Sequence, residues 1–322
     1  MFLQTTSFPT RKSIVNYSKK IIYSTAITSI LLIATNVSAQ EKTTEVTLDA
    51  LHKEVIPGKQ YGRSGLHSLL FGRHYRKEWT TSVKVPVLNL ETIYGGLTPT
   101  EQGGGRQTKT LRLKDKNGRQ YVLRSIDKSF GKALPEDLQG SFIEDLANDQ
   151  VSIAHPFAAV TVPPLAEAAG IFHTKPVIYF IPASDRLGEF NKEFGNTLCL
   201  LEERPAKDQS DVDNFGNSKD IVSTDNMFEN YFGKHGNRVD QVGFVKARLF
   251  DIFLGDWGRH EDQWRWAKFD SGNYTIYKPI PRDRDQAYTK FDGMIPHIAT
   301  SSEDLEHLRS FDYKIKNIKK YN

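Results

Sequence analysis

The chain has 322 residues, with 43 Lys and Arg against 39 Asp and Glu, and a single cysteine. Four of the basic residues and none of the acidic ones fall in residues 1–39, so the remainder carries 39 charges of each sign and offers no net basic footprint for nucleic acid. Cys199 has no partner for an internal disulfide and, within Leu198-Cys199-Leu200-Leu201, reads as a small buried hydrophobe rather than a nucleophile.

Residues 1–39 have the pattern of a secretory signal. Arg11, Lys12, Lys19 and Lys20 precede an apolar stretch from Ile21 to about Val37, and Val37-Ser38-Ala39 offers small residues to a signal peptidase. Ser24, Thr25, Thr28, Ser29, Thr35 and Asn36 interrupt the stretch, which makes it a poor membrane span. The expectation is cleavage and export to the periplasm or the exterior, with no stable membrane span afterwards. The mature part is long enough to bury a real core.

Residues 40–87 read as an extended lead-in, polar with scattered aromatic and basic residues and no clear period. The signals sharpen from about Leu88. Gly103-Gly104-Gly105 precedes a strand at 108–114, the turn Asp115-Lys116-Asn117-Gly118 and a second strand at 119–126. Residues 135–153 read as a helix with Leu138, Phe142, Leu146 and Ile153 near one face, and 163–169 as a short second helix. Strands are expected at 177–181 and 197–201, the latter running into Glu202-Glu203-Arg204-Pro205. Residues 206–238 read as a long surface loop with one short helix near 226–231. The clearest helix spans 239–254, with Val242, Val245, Leu249 and Phe253 as its apolar stripe and Gly255 as its end. Phe250 is a core residue beside Phe253, and Trp257, Trp264 and Trp266 belong to core and wall.

Chemistry concentrates after that helix. Gly255-Asp256-Trp257-Gly258-Arg259-His260-Glu261-Asp262-Gln263 leads into strands at 264–269 and 274–280, joined by a turn and followed by Pro281-Arg282-Asp283-Arg284-Asp285. An antiparallel hairpin sets the loop before it beside the loop after it. That brings His260, Asp262 and Gln263 near Asp283 and Asp285. Converging acids repel unless a cation or arginine partners offset them. A divalent ion held by carboxylate and amide oxygens is one solution. A structural network through Arg259, Arg265, Arg282 and Arg284 is the other.

This order of helix, polar loop, hairpin and Asp-bearing loop resembles the C-lobe of protein kinases. The 255–263 loop resembles the Gly-Asn-x-Asp-Arg-His loop of secretory-pathway and lipid-type kinases. Ile280-Pro281-Arg282-Asp283-Arg284-Asp285 is similar to the Ile-Pro-Trp-Asp-x-Asp stretch of the spore-coat CotH kinase family, and 197–204 to that family's hinge strand. The similarity covers roughly 88–288. It implies an α+β, two-lobed kinase-like fold, with a β-rich N-lobe and hinge at 88–205 and a short helical C-lobe at 206–322.

The resemblance also implies ATP with Mg²⁺ or Mn²⁺, and roles for single residues. Asp283 and Asp285 would hold the metal, with Gln263 as a further oxygen donor. Glu202 and Glu203 would lie at the adenine hinge, and Gly103, Gly104 and Gly105 over the phosphates. Arg124 or Lys128 would bind phosphate and pair with Glu144 or Asp149 on the next helix. The family's catalytic Asp aligns with Gly258, which cannot accept a proton; Asp256, Asp262 and His260 are the nearby groups left for catalysis. The readings that follow are an exported kinase with an envelope protein or polymer as acceptor, a silent pseudokinase-type scaffold, and a metal-dependent hydrolase using His260, Glu261, Asp283 and Asp285.

Overall fold

A computed structural model of the protein describes residues 52–103, 107–131 and 134–299, which fall in one compact unit. The stretch expected to be a signal, together with Gly104 and Gly105, lies outside the described residues. The class is mixed α+β, as the sequence predicts.

The first sheet holds β3 (Thr98–Gly103), β4 (Thr110–Lys114), β5 (Gln120–Ser125), β6 (Val177–Ile181) and β7 (Thr197–Glu203), in the order β3-β4-β5-β7-β6 and antiparallel throughout. Alternation sorts its side chains. Leu111, Leu113, Tyr121, Leu123, Cys199 and Leu201 enter one core. Burying each large apolar side chain there contributes roughly 1.5–3 kcal/mol. Cys199 is fully enclosed, and burial pushes its thiol up to about 11, in keeping with an inert side chain. Arg112, Val122, Arg124, Leu200 and Glu202 occupy the opposite face.

The second sheet holds β8 (Ile221–Ser223), β9 (Asn237–Val239), β10 (Trp264–Ser271) and β11 (Tyr274–Pro281), in the order β8-β10-β11-β9, with β9 parallel to β11. Between β8 and β9 runs α6 (Thr224–Gly233), capped by Ser223. Most of the loop expected at 206–238 is therefore structured; strands of three residues are too short to show a period.

The lead-in is corrected as well. Residues 52–87 contain β1 (His52–Val55), α1 (Gly65–Phe71), α2 (Arg76–Thr80) and β2 (Val83–Pro86), with β1 paired to β2. Tyr61, Tyr75 and Trp79 sink into a core with Ile126, Val151 and Leu200, so this segment is an integral wall.

The helix expected at 135–153 is broken. Gly140 takes a left-handed φ of 71°, and Ser141 then caps α3 (Phe142–Asp149). Phe142 is exposed rather than on a core face. The helix expected at 163–169 is α4 (Ala158–Ala168), which begins before its two prolines. A four-residue α5 (Asn191–Phe194) precedes β7.

The long helix is α7 (Gln241–Leu254), capped by Asp240 and ended by Gly255 at φ 65°. Its buried face is reversed from expectation. Ala247, Phe250, Asp251 and Leu254 point inward, while Val242, Val245, Leu249 and Phe253 are exposed. Both sets obey the helical period, so the period alone cannot choose between them. A last helix, α8 (Met294–Ala299), packs on α1. Among the described residues no helix is long and apolar enough to cross a membrane.

Asp149 anchors the wall to this frame. Its carboxylate, 3 % exposed, meets Arg76 at 2.6 Å, Arg63 at 2.9 Å and His67 at 3.0 Å. Burial alone would raise its pKa, but hydrogen bonds from these three groups hold it well below the usual carboxylate range. Asp149→Ala strands the buried Arg76, so urea unfolding should show a loss of about 3–5 kcal/mol. Glu144→Ala, which removes only the bond accepted from Gly140 N, should cost about 1 kcal/mol.

Candidate functional site

The hairpin of β10 and β11 is regular over eight pairs, from Trp264 opposite Pro281 to Ser271 opposite Tyr274. Its open end brings the two polar loops together as the sequence predicts. Arg282 N donates to Gln263 O at 2.8 Å, and Gly258 packs against Gln286.

The side chains are partnered differently from expectation. Asp283 Oδ1 faces the Arg124 guanidinium, and Asp285 pairs with Lys128. Arg124 also reaches Glu202 at 3.4 Å, and Arg282 approaches the same carboxylate at 3.9 Å. Strand β5 and the residues just after it are thus joined to the loop beyond β11 by two ion pairs. Burial would raise the Asp283 pKa, but Arg124, Lys128, Arg282 and Arg259 bring it down to about 2. Arg124, disfavoured by burial, is held above its ordinary value by Asp283 and Glu202. Asp283 adopts φ 61°, a left-handed conformation uncommon outside glycine and frequent where side chains are aimed for function. Its Oδ1 has charge contact with Arg124 but no aligned hydrogen bond.

Both Arg124 and Lys128 therefore reach the Asp loop, and neither acid of α3 meets them. Glu144 accepts from Gly140 N, and Asp149 belongs to Arg76. Glu202 and Glu203 point to opposite faces, Glu202 toward Arg124 and Glu203 toward Arg119 at 3.3 Å. Gly103 ends β3, opposite Thr110.

In the preceding loop, Asp256 is 1 % exposed, meeting Arg259 at 2.6 Å and Arg284 at 2.9 Å. Burial pushes its carboxyl up, against the pull of both arginines. Asp251, on the inward face of α7, completes the cluster with Arg248, Arg259 and Arg284. Asp251 was not anticipated; an acid among Ala247, Phe250 and Leu254 was the available signal. His260 and Asp262 are exposed, and Gln263 uses its amide oxygen to accept from His260 N at 3.3 Å. They share a rim with the Asp loop but make no contact with its carboxylates.

Two spaces adjoin these groups. A cavity of about 20 Å³ is lined by Arg124, His173, Leu200, Glu202, Asp283 and Asp285. A groove of about 910 Å³ is lined by Lys59, Gln102, Thr108, Lys109, Lys128 and Leu198. The groove is of the size that holds small molecules and cofactors. Among the described residues, no group of three or more His, Cys, Asp or Glu is disposed to hold a metal ion.

No protein-family model, curated protein or solved structure matches this chain.

Arg284 and Arg259 both bridge Asp251 and Asp256. Removing Arg284 leaves the two buried carboxylates undercompensated. Arg284→Ala should lower stability by about 3–5 kcal/mol in urea unfolding, and adding Asp251→Asn should return part of the loss.

Proposed function

We propose that the chain is an exported kinase-like domain that binds a nucleotide with a divalent metal and transfers phosphate weakly or not at all. The observation that carries this reading is the pair of cross-links Arg124–Asp283 and Lys128–Asp285. Two cations from a β-sheet face two carboxylates on the loop after a hairpin. A metal–phosphate unit would satisfy both sets at once, with carboxylates turning to the metal and cations to phosphate oxygens.

The donors suit the ion. Asp283 and Asp285 are hard oxygen ligands, and Mg²⁺ is commonly held by one or two carboxylates together with substrate phosphates and water. Asp283 Oδ1 is held by Arg124, and turning it to such an ion would release that guanidinium to a phosphate oxygen. The ion would neutralise phosphate charge; the protein's part is to position it.

Transfer is the weak element. Gly258 has no side chain to take the acceptor's proton, and Asp256 is enclosed by Arg259 and Arg284. Losing a positioned base removes on the order of a hundred- to ten-thousandfold in rate. This favours binding or scaffolding at the cell envelope over efficient phosphorylation. The hydrolase reading needs three clustered ligands and finds no support among the described residues.

Thermal-shift titration of the full chain tests the proposal. ATP with Mg²⁺ should raise the melting temperature through binding linkage, and Asp283→Ala and Asp285→Ala should abolish the rise. No response to any nucleotide and metal would refute it. A Cβ at Gly258 meets only the flexible Gln286 side chain, at 3.2 Å. Gly258→Asp should therefore fold and increase phosphate transfer at least a hundredfold in a radiolabel assay.

A further inference from the structure

The face of the first sheet opposite the Leu111 core carries more than Arg124. Register sets Arg112, Val122 and Glu202 in one row across β4, β5 and β7, on one face. Arg204 lies two residues beyond Glu202 and therefore on the same face; its N–H bonds to Gln120 O at 2.8 Å. Across from it, Arg282 approaches Glu202 at 3.9 Å. Arg265, on β10, stands opposite Ile280, two residues before Arg282.

These four guanidiniums are unevenly compensated. Arg265 donates to the carbonyls of Trp264 and Asp262, and Arg204 to the neutral amide of Gln120. Neither has a carboxylate partner among the described residues. Arg112 holds the exposed Glu101, and Glu202 is already shared with Arg124. Arg282 is nine-tenths buried, and its Nε has no hydrogen-bond partner. The crowding is felt electrostatically. Burial first, then the charges of Arg282, Arg204 and Arg112, bring Arg265 down to about 10. Burial and neighbouring arginines lower Arg204 and Arg282 as well, against Glu101 for Arg204 and against Glu202 and Asp283 for Arg282. Guanidinium does not discharge at neutral pH, so an incoming anion would relieve the crowding.

We propose that Arg112, Arg204, Arg265 and Arg282 form a binding cleft for a polyphosphate group at the hinge end of the first sheet. Guanidinium forks match phosphate oxygens bidentately, and several of them along one cleft suit an anion with several charges. This goes beyond the kinase-like reading, which puts a neutral base beside the hinge. A polyphosphate ester and free inorganic polyphosphate share the chemistry recognised.

Tripolyphosphate, ATP, adenosine and sodium chloride at matched ionic strength are titrated against the full chain by thermal shift and calorimetry without metal. Tripolyphosphate should bind. Its affinity should fall about ten- to hundredfold in Arg265→Gln and in Arg204→Gln, from loss of charge-assisted bonds, and stay unchanged in Arg238→Gln, an exposed arginine on β9. Unliganded Arg265→Gln should melt no lower than the parent, because a repulsive charge is gone. The cleft is overturned if tripolyphosphate acts no more than salt, if all variants bind it alike, or if unliganded Arg265→Gln is strongly destabilised. ATP–Mg²⁺ binding that depends on Asp283 but not on Arg265 keeps the nucleotide reading and sinks the cleft. Tripolyphosphate binding with no gain from adenosine or ATP keeps the cleft and sinks the nucleotide reading. Stronger binding of ATP than of tripolyphosphate identifies an ester; the reverse identifies the free anion.

Discussion

The two ion pairs from β5 and its exit to the Asp loop constrain everything around them. Arg124 and Lys128 are largely enclosed, with side chains 12 % and 9 % exposed, so neither charge can rely on water. Buried pairs of this kind gain little over a well-packed apolar contact, but losing one partner is costly. Their effect is on position. They require the loop after β11 to turn back under the first sheet, and Asp283 does so through a left-handed backbone. The hairpin register then follows the loop back to Gln263, which receives Arg282 N.

A second cluster fixes the other loop. Asp251 and Asp256 share Arg259 and Arg284, and Arg259 also reaches the carbonyl of Arg282. One cluster therefore ties the end of α7, the loop after it and the Asp loop into a single frame. The consequence for chemistry is direct. An acid that holds such a frame is not free to act as a base, and the neighbouring position that could supply one is Gly258. Asp256 is committed to holding that frame through Arg259 and Arg284.

The sequence made the hairpin and its converging loops legible because period-two alternation and turn chemistry act over neighbouring residues. The end of α7 at Gly255 was legible for the same local reason. Partner choice was not. Arg124 lies 159 residues from Asp283, and no local pattern distinguishes Asp283 from Asp149 as its partner. The buried side of α7 was hidden because its inward face includes the charged Asp251, held by an ion cluster, while Val242, Val245, Leu249 and Phe253 lie outside. In the lead-in, Tyr75 and Trp79 are one helical turn apart, yet a five-residue helix is too short to show as a period.

Charge balance gives the last step. Beyond residue 39 the chain has equal numbers of acids and bases, which speaks against a basic surface but says nothing of a single cleft. Around the Arg124 face of the first sheet the compensation is uneven. At one end Arg124 and Lys128 are matched by Asp283 and Asp285. At the other, Arg204 and Arg265 stand among further guanidiniums with neutral partners. Folding alone would favour spreading that charge or pairing it. A ligand that suits both ends carries a positive centre beside the Asp loop and a run of negative charge toward Arg204 and Arg265, and a metal-bearing polyphosphate has that distribution.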